Sequence, residues 1–187
     1  MKRYIKTSTD LDLDEKLAKS SKDPQELEAL FDQYYDPSVK FMVGSFYLLS
    51  YLAKNPHTPA HILETLYFDP DRPLFTNHVA VNPSVPESVI QDILEKDNIL
   101  ELGSLAHNRA CPKDLLQDLF DRAITEEDHT LLAGLANNSR LTPEMFDTLE
   151  AFILDPAHIK KNYAYDVIRG LNKNSGFRKN HDKLPLR

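Results

Sequence analysis

One turn motif recurs along the chain at nearly regular intervals. Its landmark is an asparagine, preceded two residues earlier by alanine and followed four or five residues later by proline. The four asparagines are 27, 26 and 30 residues apart: Asn55, Asn82, Asn108 and Asn138. A repeat period of about 20 to 50 residues is typical of solenoids, in which one supersecondary unit stacks on the next. The motif therefore predicts a repeat architecture, although it does not indicate what the repeats bind.

The residues after each asparagine predict an amphipathic helix. Apolar side chains occur at the seventh, eighth and eleventh positions after it, and these positions share one helical face. The set is Ile62, Leu63, Leu66, Val89, Ile90, Ile93, Leu115, Leu116, Leu119, Met145, Phe146 and Leu149. We expect proline to open this helix, because its missing N–H has no intrahelical partner in the first turn. Thr58 and Thr142 are the expected N-caps.

The asparagine itself is expected to end the preceding helix. Asparagine tolerates the left-handed conformation found at helix C-termini, and its amide can bind turn carbonyls. Stacked repeats would place the four asparagines in one row, which is a structural role. Small residues before each asparagine predict that neighbouring helices approach closely. These residues are Ala53, Ala80, Ala106 and Ala136, together with Gly103 and Gly134.

Weaker copies of the motif extend the pattern in both directions. Near the N-terminus, Ser20 takes the asparagine position ahead of Pro24. Near the C-terminus, residues 170–174 resemble residues 134–138, but no second helix is expected after them. Longer helices are expected over 40–53 and 159–171.

The turn Leu/Val-Ala-x-Asn-Pro-x-Thr/Val-Pro, with the paired aliphatics after it, resembles the variant leucine-rich repeat family. The resemblance covers about Leu17 to Asn174 and is looser where Arg109 and Ser139 replace proline. It implies a right-handed solenoid related in shape to HEAT-like repeats, with no activity common to the family. The repeats here are longer than the family's usual unit, so we expect their first helix to be α rather than 3₁₀. The family's iron–sulfur module needs a cysteine cluster, which Cys111 alone cannot supply.

The predicted fold is therefore all-α: a right-handed α/α solenoid of about five helix-turn-helix repeats with a truncated C-terminal cap. We expect one domain spanning residues 1–187. The repeats are expected at 12–35, 36–69, 70–97, 98–123 and 124–155, and a cap helix with a basic tail at 156–187.

Charge is distributed unevenly along the chain. From Lys160 onward eight lysines and arginines face two acidic residues, so the preceding part carries a net charge of −13 out of an overall −7. Such an acidic body is a poor surface for nucleic acid but suits a basic protein partner, and it also favours solubility. The single cysteine indicates a reducing, cytoplasmic compartment. The most apolar stretch, residues 41–53, is too short to span a membrane.

The motifs of common catalytic sites are missing from the sequence. It has no glycine-rich phosphate loop, no Gly-x-Ser-x-Gly and no His-Glu-x-x-His. His57 and His61 are four residues apart, but His57 lies in the turn and no nearby carboxylate or thiol completes a metal site. Cys111 is interpreted as a small turn residue rather than a nucleophile. We therefore expect no enzyme activity, cofactor or metal.

The predicted binding surface is the exposed ridge of the second helices, nine and ten residues after each asparagine. Its proposed partner-binding residues are Glu64, Gln91, Asp92, Gln117, Asp118 and Asp147. An ordinary solvated face explains the same pattern equally well. We expect a protein-binding scaffold, such as a bacterial or phage inhibitor, immunity or adaptor protein. The alternative is a HEAT-like nucleic-acid-binding or DNA-modifying module that uses the basic C-terminal region.

Overall fold

The computed structural model describes residues 8–38 and 43–174, and the regular structure in these ranges is entirely helical. The predicted all-α class is confirmed. A 3₁₀ turn at Pro73–Phe75 precedes the fifth helix. The helices are α1 (Ser8–Ser20), α2 (Pro24–Tyr34), α3 (Val43–Lys54), α4 (Ala60–Phe68), α5 (Thr76–Ala80), α6 (Glu87–Lys96), α7 (Ile99–His107), α8 (Lys113–Thr125), α9 (His129–Ala136), α10 (Pro143–Leu154) and α11 (Ala164–Lys173).

The chain divides into two compact units, Met1–Ile90 and Gln91–Arg187, and the division falls inside α6. In the first unit, α3 packs against α1, α2, α4 and α5. In the second unit, α9 packs against α7, α8, α10 and α11. Each unit thus has one central helix with its neighbours arranged around it. The single domain expected from the sequence stays a prediction.

The predicted apolar face of the second helices forms much of the core. Eleven of its twelve side chains are buried, and Leu115 is half-buried. Burying one such side chain stabilises a fold by about 1.5–3 kcal/mol. The spacing after each asparagine therefore predicted correctly which side of α4, α6, α8 and α10 turns inward.

Proline marks the start of the second helices, and in three of the four it lies one residue before the helix, as Pro86 does ahead of α6. Pro143 is the first residue of α10, and the Thr142 hydroxyl accepts the backbone N–H of Met145 at 3.2 Å, as predicted. Pro59 and Pro112 instead occupy the N-cap positions of α4 and α8. In both places the proline still needs no intrahelical donor, which is why either position accepts it.

Thr58 does not cap α4, so that prediction was wrong. Its hydroxyl donates to the carbonyl of Leu52 at 2.7 Å, six residues back in α3. The side chain is buried and holds the turn closed against the preceding helix. Threonine hydroxyls often bind nearby backbone groups, and the Thr58 hydroxyl binds the Leu52 carbonyl rather than an N–H of α4.

The asparagine side chains connect successive turns within each unit. In the first unit, Asn82 Nδ2 donates to the carbonyls of Ala53 at 2.7 Å and Asn55 at 2.9 Å. The Asn82 Oδ1 atom accepts the N–H of Ser84 at 2.8 Å. Asn82 is 1% exposed, so all of these bonds form out of contact with water. One side chain therefore satisfies three backbone groups of two adjacent turns.

The second unit repeats this arrangement with the same geometry. Asn138 Nδ2 donates to the carbonyls of Ala106 at 2.7 Å and Asn108 at 3.0 Å, and Oδ1 accepts the N–H of Arg140 at 2.8 Å. Asn174 Nδ2 in turn donates to the Asn138 carbonyl at 2.5 Å. The resemblance of residues 170–174 to 134–138 is therefore confirmed at Asn174. We call these side-chain bonds the asparagine rungs.

The N-terminal copy of the motif uses Ser21 rather than the predicted Ser20. Asn55 Nδ2 donates to the carbonyls of Ala18 and Ser21, both at 3.0 Å, so Ser21 stands where an asparagine stands in later turns. Its hydroxyl also accepts the N–H of Asp23 at 3.1 Å, as an asparagine Oδ1 does two residues ahead. Ser20 is exposed. The prediction was one residue off because α1 ends two residues after Ala18, whereas α3 ends one residue after Ala53.

The asparagines do not adopt the left-handed conformation that the sequence predicted. Asn108 and Asn174 are C-caps with φ of −66° and extended ψ values, which direct the chain out of the helix. Positive φ among the described non-glycine residues occurs at Asp97 (50°) and Glu127 (53°). These two residues follow α6 and α8, in a second recurring turn that the sequence analysis missed. Asparagine is therefore selected here for its amide rather than for its backbone.

The helix predicted over 159–171 is also wrong in its first part. Residues 155–163 form successive turns, and α11 begins only at Ala164. The Asp155 carboxylate accepts the N–H of Ala157 at 2.8 Å, and its carbonyl accepts the N–H of His158 and Ile159 at 2.9 Å. Aspartate before proline favours such a turn over a helix. Helix α3 covers the other predicted segment from residue 43, and residues 39–42 lie outside the described ranges.

Two glycines allow α7 and α9 to approach closely, as predicted. A Cβ atom added at Gly134 would overlap the carbonyl oxygen of Gly103. A Cβ atom added at Gly103 would lie 2.7 Å from Cγ2 of Thr130. Ala106 is fully buried beside the same contact, 3.3 Å from a Cβ atom added at Gly134. Backbone contact, rather than side-chain interdigitation, sets the distance between these two helices.

The glycine contact predicts the sign of a stability change. Gly134→Ala should lower the free energy of unfolding by about 2 kcal/mol, because overpacking a rigid contact costs about 1–3 kcal/mol. In an open helical position the same substitution gains up to about 1 kcal/mol. Urea unfolding at constant m-value measures the difference. A higher urea midpoint for the variant would contradict the close approach.

The asparagine rungs predict a second stability change. Asn138→Ala should lower the free energy of unfolding by about 3 kcal/mol. Two buried carbonyls and one N–H lose their hydrogen-bond partner, at a cost of about 1–3 kcal/mol each, and relaxation of the structure offsets part of this cost. The matched control is Asn137→Ala, since Asn137 is exposed and its amide reaches only the Ala133 carbonyl of its own helix, at 2.8 Å. Urea unfolding measures both variants. Equal decreases in the free energy of unfolding would show that the rung contributes no more than an exposed asparagine.

Candidate partner-binding surface

The six predicted partner-binding residues lie on the second helices, as the spacing implied. Glu64 is on α4 in the first unit, and the other five are on α6, α8 and α10 in the second unit. Exposed members are Gln91, Gln117, Asp118 and Asp147, whereas Glu64 and Asp92 are half-buried. We call the five residues of the second unit the acidic strip: Gln91, Asp92, Gln117, Asp118 and Asp147.

Some of these side chains already have partners on the same or an adjacent helix. Asp92 pairs with Lys96 one turn later at 2.7 Å, and Gln117 Nε2 donates to an Asp121 carboxylate oxygen at 2.9 Å. Glu64 accepts the hydroxyl of Ser88 at 2.5 Å. Exposed helical pairs of this kind contribute less than about 1 kcal/mol. A protein partner with well-placed cations can therefore displace them at small cost.

Charge in the second unit is concentrated on the second helices. From Gln91 to Leu154, α6, α8 and α10 carry eight acidic residues against three basic ones. The first helices are nearly uncharged. Glu101 is the one Asp, Glu, Lys or Arg residue of α7, and α9 contains none of these four residue types. The eight carboxylates are those of Asp92, Glu95, Asp114, Asp118, Asp121, Glu144, Asp147 and Glu150. Charge of one sign on one set of helices produces a directional field.

The arginine of α8 is itself held by two acids. Arg122 Nη1 lies 2.5 Å from Asp97 Oδ1, and Nε lies 3.0 Å from Glu126 Oε2. The hydrogen bond from Arg122 lowers the pKa of Asp97, and the two carboxylates raise the pKa of Arg122. The cluster joins one guanidinium to two carboxylates. It therefore does not neutralise the acidic field of its helix.

The first unit contains an apolar groove that the sequence analysis missed. It lies between α3 and the segment 71–75, and its volume is about 470 Å³ when the part open to solvent is included. Its lining residues are Ser45, Phe46, Leu49, Asp71, Arg72, Pro73, Leu74 and Phe75. The groove exists because α5 is short, so the 3₁₀ turn rather than a full helix faces α3. No periodic pattern in the sequence marks such an interruption.

A polar cluster holds the chain at one end of this groove. Arg72 pairs with Asp69, and both side chains are about nine-tenths buried. The Tyr35 hydroxyl donates to Asp69 Oδ2 at 3.0 Å, and the guanidinium lies 4.7 Å from the Tyr35 ring centroid. Burial, and then Asp69, raise the pKa of Tyr35. The charges balance one another within the cluster, which anchors the loop ahead of α5.

His57 and His61, the histidine pair considered above as a metal site, do not form one in the structure. His61 Nε2 lies 3.2 Å from Glu28 Oε1, so it pairs with α2 rather than with His57. In the ranges 8–38 and 43–174, no group of three or more His, Cys, Asp or Glu residues is positioned to hold a metal ion. The expected lack of a metal or cofactor stays a prediction for the whole chain.

Cys111 is buried at the turn before α8, in agreement with its interpretation as a small turn residue. Burial raises the pKa of its thiol to about 11. The Arg140 guanidinium donates to the carbonyls of Cys111 and Arg109, both at 3.1 Å, and so covers the turn. A thiol that is protonated and enclosed at neutral pH is a weak nucleophile.

The basic C-terminal region is described only in part. Arg169 and Lys173 are exposed on α11. The other basic residues that the nucleic-acid alternative needs, Arg178, Lys179, Lys183 and Arg187, lie outside the described residues. In the described part, no helix combines the length and the apolar character needed to cross a membrane.

Comparison with protein-family models, curated proteins and solved structures finds no match to this chain. The resemblance to variant leucine-rich repeats therefore stays a prediction.

The environment of Cys111 predicts slow thiol chemistry. At pH 8 the folded protein should react with iodoacetamide at least about 100-fold more slowly than the urea-unfolded chain. A thiol with a pKa of about 11 in place of 9.0 has about 100-fold less thiolate at pH 8, and burial slows the reaction further by blocking access. Mass spectrometry of quenched time points gives both rates. Similar rates in the two states would contradict the structural role of this residue.

Proposed function

We propose that this protein is a non-enzymatic scaffold that binds a basic protein partner through its acidic strip. The observation that carries the proposal is the imbalance of eight acidic to three basic residues on α6, α8 and α10 after Gln91, beside first helices that are nearly uncharged. Like charges on one surface repel one another, so their accumulation is an energetic cost in the free protein. A cationic partner removes that cost and is steered toward the surface.

We also propose that the helices form a right-handed α/α solenoid of about five repeats, as the variant leucine-rich repeat resemblance implies. The support is that the asparagine rungs connect consecutive turns in both units with the same donors and acceptors. Repeats that contact mainly their neighbours expose extended surfaces, which solenoids use for binding. A cytoplasmic inhibitor, immunity or adaptor protein is the role that this architecture and charge support best.

Binding is favoured over catalysis by the positions of the titratable groups with shifted pKa values. In the described residues these groups lie on separate elements: Tyr35, His78, Asp97, His107, Cys111, Arg122 and Tyr163. Burial is the largest cause for five of them, and the ion-pair cluster of Arg122 accounts for the shifts of Asp97 and Arg122. An active site instead brings several such groups together in one cleft.

Charge reversal on the acidic strip tests the proposal. Asp118→Lys combined with Asp147→Lys changes two exposed residues of α8 and α10. The matched control is Asp12→Lys combined with Asp32→Lys, which reverses two exposed charges in the first unit and changes the net charge equally. The wild-type protein, immobilised at low salt in lysate of its native host, should capture a basic protein. The strip variant should bind that protein at least about tenfold more weakly, mostly through a slower association rate.

The comparison with the control variant decides the interpretation. Equal weakening in both variants would mean that net charge alone attracts the captured protein. Retained binding in the strip variant would overturn the proposed surface. A mobility shift of duplex DNA that Arg169→Glu and Lys173→Glu abolish would favour the nucleic-acid alternative instead, because phosphate contacts need those cations.

A further inference from the structure

Helix α5 is the shortest α-helix of the described residues and depends on its neighbours. It has five residues, whereas each of the other α-helices has eight or more. A single turn of helix is not stable in water, because nucleation costs more than its few hydrogen bonds return. The helix is held by packing against α3, α4 and the 3₁₀ turn, with Val79 and Ala80 fully buried.

Helices α5 and α3 pack together, and each carries a buried side-chain atom that has no hydrogen-bond partner. Within the described residues, two buried side-chain atoms have no hydrogen-bond partner, and they are Nδ1 of His78 on α5 and Oγ of Ser50 on α3. Each such atom costs about 1–3 kcal/mol. The His78 ring also lies 6.5 Å, centroid to centroid, from Phe75, which lines the solvent-open groove. This contact is therefore a weak point of the first unit.

The surroundings of His78 disfavour its protonated form. The titratable residues of the packed elements are Tyr47, Tyr51 and Lys54 on α3 and His61, Glu64 and Tyr67 on α4. The 3₁₀ turn has none, and Arg72 before it is paired with Asp69. His61 and Glu64 are engaged with Glu28 and Ser88. Burial, and then the positive charge of Lys54, lower the pKa of His78 below its ordinary value of 6.5.

We infer that α5 is an acid-sensitive element, which opens when His78 takes a proton from solvent at Nδ1. The neutral ring is required in the packed state, so its contribution to stability is complete above pH 6.5. That contribution is lost as the pH falls from 6.5 toward the lowered pKa of the folded state. Asn82 follows α5 by two residues, so opening the helix also weakens the rung from Asn82 to Ala53 and Asn55. The switch is thus built into the repeat structure itself.

Hydrogen exchange at two pH values tests this inference on the full chain. After correction for intrinsic rates, amides of residues 76–82 should exchange several-fold faster at pH 5.0 than at pH 7.5, because protonation of His78 favours the open state. In His78→Phe, which keeps an aromatic ring without a proton-accepting nitrogen, the acid response should disappear. A response of the same size in His78→Phe would overturn the inference.

Two further variants separate this effect from general acid sensitivity. His107→Phe in the second unit removes another histidine whose pKa is lowered by burial, and it should leave the response of residues 76–82 unchanged. Lys54→Met alters an exposed residue and should reduce the response, because the cation that opposes protonation is gone. If His78→Phe does not fold, an unchanged response in Lys54→Met overturns the inference. The charges of the acidic strip are untouched in all three variants, so partner binding is judged separately.

Discussion

The buried amide of the recurring asparagine joins neighbouring turns, and the arrangement of the helices follows from it. The rungs of Asn82 and Asn138 each place two N–H donors on carbonyls of the preceding turn and one acceptor on the N–H two residues ahead. Helix ends leave carbonyls without intrahelical partners, and in a stack of helices those carbonyls are turned away from water. A side chain that satisfies three such groups at once removes several kcal/mol of desolvation cost. It also fixes the offset between neighbouring turns, because its reach permits only one register.

The position of the candidate binding surface follows from these rungs. Once the turn is set, proline and the apolar positions after it determine which face of each second helix is buried. The opposite face must then carry the polar residues, and on α8 and α10 these are mostly acidic. The first helices take the opposite role: Gly103 and Gly134 bring α7 and α9 into backbone contact, which leaves little room for charged side chains. Packing therefore separates an uncharged side from an acidic side without any dedicated binding motif.

The interruption at α5 shows what happens where the regular pattern is shortened. A 3₁₀ turn replaces part of the first helix, and an ion pair between Arg72 and Asp69 anchors the loop in place of apolar packing. The same shortening leaves a groove beside Phe75 and an unsatisfied nitrogen on His78. Rungs stabilise both sides of the interruption, so the unit tolerates a weak contact there. Local stability is expected to differ most where repeat geometry and local sequence disagree.

The helical class, the inward face of the second helices and the close contact at Gly134 could be predicted from the residues alone, because each depends on short-range spacing. The same spacing placed Glu64 and the acidic strip on the correct helices. Packing between turns, in contrast, sets Ser21 rather than Ser20 in the first turn and makes Asn108 extended rather than left-handed. These outcomes depend on which carbonyl of a neighbouring turn lies within reach of an amide. The groove and the unsatisfied His78 were likewise invisible, since they arise from what a shortened helix fails to cover. Residue spacing predicts contacts that recur with the repeat. The structural effect of a departure from the repeat depends on the elements packed around it, so spacing does not predict it.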